Sequence, residues 1–149
     1  MPDNVAKLPR AAQAVGARPS SQSSGLFGGL LERFTEIVGD GPSYATFHLA
    51  SQQEGMRLAD GAGPAELPDL LDRADAILGH RSQLVTASPD LVRLDVADSS
   101  FVTGSRVAGG VCLGLLEGIL RVVFKRPFEG TIEPGAQGGA RLSFRGKPA

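Results

Sequence analysis

Gly110, Gly114 and Gly118 recur every fourth residue inside the most apolar stretch of the chain, residues 107–124. That spacing puts all three on one side of a helix and leaves a stripe without side chains. Three glycines lower intrinsic helix stability by about 3 kcal/mol relative to alanine. Burial of Val111, Leu115, Ile119, Leu120, Val122 and Val123 must offset that loss. The stripe also lets another backbone approach closely. The pattern therefore predicts a packed helix over 105–124. Glu117 and Arg121 lie inside this run, one turn apart. Two charges there argue against a membrane span, so the segment reads as the core helix of a globular fold.

The other segments of this 149-residue chain supply what such a helix needs around it. Residues 1–24 are rich in Ala, Pro, Ser and Gln and end in a linker-like tract, Arg18 to Ser24. They read as a flexible arm, either a simple tail or a segment that docks on a protein partner. Residues 25–149 read as one domain. A first helix is expected over 25–39, with Ser24 as N-cap, Gly39 as stop, and a broad apolar face of Leu26, Phe27, Leu30, Leu31, Phe34, Ile37 and Val38. After a turn at 40–43, Ser43 would cap a second helix over 44–59. Its buried face would carry Tyr44, Phe47, His48 and Met56. Gly55 inside this helix predicts close packing or a kink. A third helix is expected over 68–78, followed by short strands at 84–87 and 91–96. Two more strands, at 128–133 and 140–144, follow the glycine-striped helix.

The chemistry-bearing residues are sparse. The net charge is −1, with no clustered basic face to neutralise nucleic-acid phosphates. The single Cys112 excludes an intramolecular disulfide and a multi-thiolate zinc site within one chain. With no secretory pattern near the N-terminus, a cytoplasmic protein is expected. His48 reads either as a packed residue or as the polar handle of a pocket. His80, after a helix-ending glycine, reads as exposed. Glu117 and Arg121 read as an i, i+4 ion pair at a surface or interface, or as a charge at a pocket wall or dimer seam. Cys112 reads as a small core residue. No nucleophile elbow, nucleotide loop or convergent acid–base pair is visible, so no catalytic residue is assigned.

Three stretches carry a family likeness. They are Leu30-Leu31-Glu32-Arg33-Phe34 with Val38-Gly39-Asp40, then Glu54-Gly55-Met56-Arg57-Leu58-Ala59, and Glu133 through Phe144 with Ala136, Gly138 and Phe144. Over residues 25–144 the chain resembles the 4-vinyl reductase domain family. Many members write the closing hairpin with two cysteines, where this chain has Pro134 and Leu142. A further cysteine precedes the glycine-rich helix in metal-binding members, and Cys112 is displaced from that place by about a turn. The resemblance thus implies a domain without metal or cofactor, since Glu133 alone cannot supply the ligands zinc needs.

It further implies an α+β fold like that of TRAPP subunits, with helices packed on a small twisted antiparallel sheet and a helix-mediated homodimer. Such domains bind aromatic, hydrocarbon or lipid-like molecules as sensors or carriers. The expected pocket residues are Tyr44, Phe47, His48, Met56 and Phe101. Gly110, Gly114 and Gly118 are the expected dimer or helix-packing positions. A ligand-free adaptor and an accessory enzyme of tetrapyrrole metabolism are the alternative functions.

Overall fold

A computed structural model describes residues 19–97, 102, 104–135 and 139–148; for 19–25 and 27 it describes the backbone alone. Four α-helices are described: α1 (Pro19–Val38), α2 (Asp40–Leu58), α3 (Leu67–Leu78) and α4 (Arg106–Phe124). The strands are β1 (Ser82–Ala87), β2 (Leu91–Val96), β3 (Phe128–Pro134) and β4 (Ala140–Gly146). They form one antiparallel sheet in the order β1-β2-β4-β3. Two hairpins therefore lie side by side, and α4 is the connection between them. The class is α+β, as expected.

The alternation of the strands decides which face receives the helices. Val92, Leu94 and Val96 of β2 and Leu142 and Phe144 of β4 are buried. They join α3 residues Leu67, Leu70, Leu71, Ala74 and Leu78 and most of α4 in a single core. The intervening positions Arg93, Asp95, Arg141 and Arg145 leave the other face polar. Asp95 and Arg141 pair across β2 and β4 through two hydrogen bonds, 2.8 and 3.0 Å long.

α4 is long and apolar enough to cross a membrane by composition, but 83% of its most apolar window is buried inside the fold. Ser105 caps its start, with Oγ accepting from Ala108 N at 3.0 Å. Its most extensive contact is with α2. The glycine stripe is the reason. A methyl group at Gly114 would lie 2.4 Å from the His48 carbonyl oxygen, and one at Gly118 would lie 2.1 Å from that of Gln52. Gly110 sits against the Tyr44 ring. Gly55 answers from α2: a Cβ there would meet the Leu115 carbonyl oxygen at 2.1 Å. The close packing expected of Gly55 and of the stripe is thus met inside one chain.

Several expectations need correction. The α1 backbone begins at Pro19, so Ser24 lies within the helix and does not cap it. Proline suits a first helical turn because its missing N–H has no partner there. The residues expected to form a turn, 40–43, are instead the first turn of α2. Gly39, at φ 106°, reverses the chain by itself. Ser43 is therefore buried rather than capping. The broad apolar face of α1 is not buried either. Among its described side chains only Leu31 is fully buried, and Leu26, Leu30 and Ile37 are 71%, 61% and 82% exposed. α1 meets α2 along a narrow edge, where Phe34 and Phe47 make an edge-to-face contact at 5.0 Å.

His80 is buried, not exposed. Gly79 takes a left-handed conformation, and the chain folds back so that the N–H groups of Gly79 and His80 both donate to the Asp75 carbonyl oxygen. That reversal carries the imidazole inward, 3.2 Å from Asp75 Oδ1. Asp75 also accepts from Ser82 N and Oγ, which ties the end of α3 to the start of β1.

Candidate functional site

Glu117 is the origin of the site. It sits mid-helix on α4, and its burial is nearly complete at 4% exposed. A buried carboxylate must be matched by donors. Here three arrive from two other elements. His48 Nε2 lies 2.8 Å from Oε1, Gln52 Nε2 donates to Oε1 at 3.2 Å, and Gly130 N donates to Oε2 at 2.8 Å. His48 and Gln52 stand one turn apart on α2. Gly130 is in β3, where Phe144 and Leu113 crowd the position that a side chain would occupy. The glycine stripe makes the arrangement reachable. Because α2 and α4 touch backbone to backbone, His48 and Gln52 come within hydrogen-bonding distance of Glu117.

Burial pushes the Glu117 carboxyl above its ordinary range, and the Gly130 N–H and His48 partly offset that push. The expected Glu117–Arg121 pair does not form. Both carboxylate oxygens are taken by His48, Gln52 and Gly130, while Arg121 is exposed.

The imidazole is held from its other side as well. Tyr44, one turn earlier on α2, stacks on His48 with ring centres 5.5 Å apart and planes 7° apart. The Arg106 guanidinium lies 4.4 Å from the centre of the Tyr44 ring and also pairs with Asp40 at 3.3 Å. A column thus runs Arg106, Tyr44, His48, Glu117, from the surface into the core. Two clefts meet along it. One, of about 310 Å³, is lined by Tyr44, His48, Gln52, Glu117, Phe128 and Lys147 among others. The other, of about 380 Å³, is more apolar and is lined by Tyr44, Val102, Ser105, Arg106, Leu113 and Ile132 with Gly109 and Gly110.

Of the five expected pocket residues, Tyr44 and His48 come together at these clefts. Phe47 packs on Phe34 instead, and Met56, expected on the buried face, is 37% exposed and lines neither cleft. Phe101 lies outside the described residues. No convergent acid–base pair is visible in the sequence, whereas the fold brings His48 and Glu117 within hydrogen-bonding distance. Gln52, Gly130, Leu113 and Ile132 were also missed. The available signal was Glu117 itself, since a carboxylate inside an apolar helix needs partners. The spacing of Tyr44, His48 and Gln52, four residues apart, would have named them.

Among the described residues no three His, Cys, Asp or Glu side chains gather as a metal ion would require. Cys112 is fully buried, and desolvation with the nearby Asp75 charge pushes its thiol up to about 12. The thiolate is the reactive form, so the native protein should resist a thiol-specific disulfide reagent and react fully only once unfolded. Rapid stoichiometric labelling without denaturant would show that the core around α4 opens readily.

No family model matches this chain, and no curated protein matches it.

Proposed function

We propose that this chain is a non-enzymatic, cytoplasmic module that binds a small aromatic, hydrocarbon or lipid-like molecule. We further propose that it follows the plan of the 4-vinyl reductase and TRAPP-subunit domains and acts as a homodimer. The observation that carries the binding reading is the anchored His48 stacked on Tyr44, the residue that lines both clefts. Together the clefts combine an apolar wall with a few fixed polar groups, as small-molecule sites do. Tyr44 supplies a flat face, and the buried Glu117 holds the imidazole still.

Native mass spectrometry on freshly purified protein, followed by denaturing extraction, is the test. A stoichiometric apolar molecule that is retained by the wild type and lost on His48→Ala is the expected result. A ligand held equally by both proteins removes His48 from the site.

A second reading, a ligand-free adaptor, draws on α1. Leu26, Leu30 and Ile37 form an exposed apolar row there, a feature more typical of interaction surfaces than of free helices. An empty protein that takes up no lipid or aromatic, and that co-purifies with a partner through residues 1–24, would favour it. An accessory enzyme acting on a tetrapyrrole gains an acid–base couple in His48 and Glu117, and substrate-dependent turnover would revive that alternative.

A further inference from the structure

Tyr44, His48 and Gln52 occupy successive turns of α2 and face one cleft. Glu117 decides which of their polar atoms are left for a ligand. An ionised carboxylate only accepts hydrogen bonds. His48 lies 2.8 Å from it through Nε2, so the imidazole proton is drawn to Nε2. Gln52 likewise turns its amide N–H toward the carboxylate, at 3.2 Å. Beside the second Gln52 N–H and the Tyr44 hydroxyl, which can donate, what remains is the lone pair of His48 Nδ1 and the carbonyl Oε1 of Gln52. These last two only accept. Neither has a partner among the described residues, and neither is sealed from solvent.

The charges nearby do not favour an ionic ligand. Lys147 pairs with Glu129 at 2.7 Å, and Arg106 pairs with Asp40 while lying on the Tyr44 ring. The adjoining cleft, walled by Tyr44, Val102, Leu113 and Ile132, offers an apolar seat for the rest of the molecule.

We infer that this site selects a neutral ligand that presents a hydroxyl or N–H donor on an apolar body, with His48 Nδ1 and Gln52 Oε1 as the receiving pair. The inference rests on the small-molecule reading above. It names the polarity of the ligand's handle, which a merely apolar pocket would leave open. A site built to hydrogen-bond a donor discriminates against the analogue that lacks it, because the acceptor that the bound ligand covers is then left unpaired.

The test uses the full chain with nitrogen-15 histidine at about pH 8. Long-range proton–nitrogen correlation is expected to show His48 neutral and protonated on Nε2. The probes are para-propylphenol and its methyl ether. The phenol should bind about tenfold more tightly than the ether and shift the Nδ1 resonance, the effect of one net hydrogen bond.

Glu117→Gln provides the converse. Its carboxamide oxygen can keep the Gly130 N–H while its NH₂ turns to His48 Nε2. The imidazole proton then moves to Nδ1, and the preference between probes should fall or reverse. If that variant does not fold, the wild-type tautomer and the wild-type probe pair decide alone. A wild-type imidazolium or an Nδ1–H tautomer at that pH overturns the inference. Equal affinity for phenol and ether overturns it while leaving the small-molecule reading intact. Binding of neither probe overturns it too. If extraction then also yields no bound molecule, the broader reading falls with it.

Discussion

Gly118→Ala is expected to destabilise the fold by about 3 kcal/mol, at the upper end of the cost of overpacking a core. The added methyl would lie 2.1 Å from the Gln52 carbonyl oxygen and 2.9 Å from Met56 N. Both are backbone atoms of α2, so no rotamer change relieves the clash. The helices must separate, and separation also lengthens the reach of His48 and Gln52 to Glu117. Gly55→Ala should cost a similar amount, since its methyl would meet Leu115 O at 2.1 Å from the opposite side of the same contact. The double variant should then lose less than the sum, because helices already pushed apart by one methyl admit the second more easily. Gly28→Ala is the control. Nothing lies within 4 Å of a Cβ at that position of α1, and replacing a helical glycine there should raise stability by up to about 1 kcal/mol. Urea unfolding midpoints measure all four proteins. A neutral Gly118→Ala would mean that α2 and α4 are not in backbone contact in solution.

The same glycines explain why much of the fold was legible. Periodicity sets element type locally, so α3, α4 and the two hairpins fall close to their expected ranges. Room for a neighbouring backbone was legible too, because a glycine stripe leaves one side of the helix without side chains. What the stripe does not carry is the identity of the neighbour. That neighbour is α2, whose own pattern is weak: Ala50, Ser51 and Gly55 are small, and its polar residues Gln52 and His48 each turn one polar atom to Glu117. A polar residue facing a buried partner leaves the same mark in one sequence as a polar residue facing solvent. His80 was misread for a related reason. Its burial follows from the reversal at Gly79, and the landing place of a chain after a left-handed turn depends on tertiary packing. The failure at α1 runs the other way. Leu26, Leu30 and Ile37 satisfy a helical period, yet this fold leaves them uncovered.

Removing the Glu117 carboxylate should produce the second large effect, and its pH dependence identifies the cause. Glu117→Ala leaves the Gly130 N–H and the inward edges of His48 and Gln52 without an acceptor in a closed environment. A loss of about 3 kcal/mol is expected, typical of stranding buried polar groups. Glu117→Gln keeps the shape and an acceptor for Gly130, so it should cost less at acidic pH. Wild type and Glu117→Gln should then diverge as pH rises. Burial raises the carboxyl's folded-state affinity for its proton above that of the unfolded chain, whose reference value is 4.5. A group shifted upward favours the folded state below that reference value and loses this advantage as pH climbs through the raised range. Wild type should therefore lose stability relative to Glu117→Gln on going upward from about pH 4.5. The other titratable groups facing the cleft, His48, Glu129 and Lys147, are common to both proteins. Their shared contributions cancel in the difference, so what survives is Glu117's own titration together with its coupling to His48. Denaturant unfolding of the pair across pH 4 to 8 gives that difference directly. A difference that stays flat would mean that the His48 and Gly130 hydrogen bonds compensate the carboxylate's burial fully. A difference of opposite sign would mean that they overcompensate it, and that Glu117 is held as a stabilising anion.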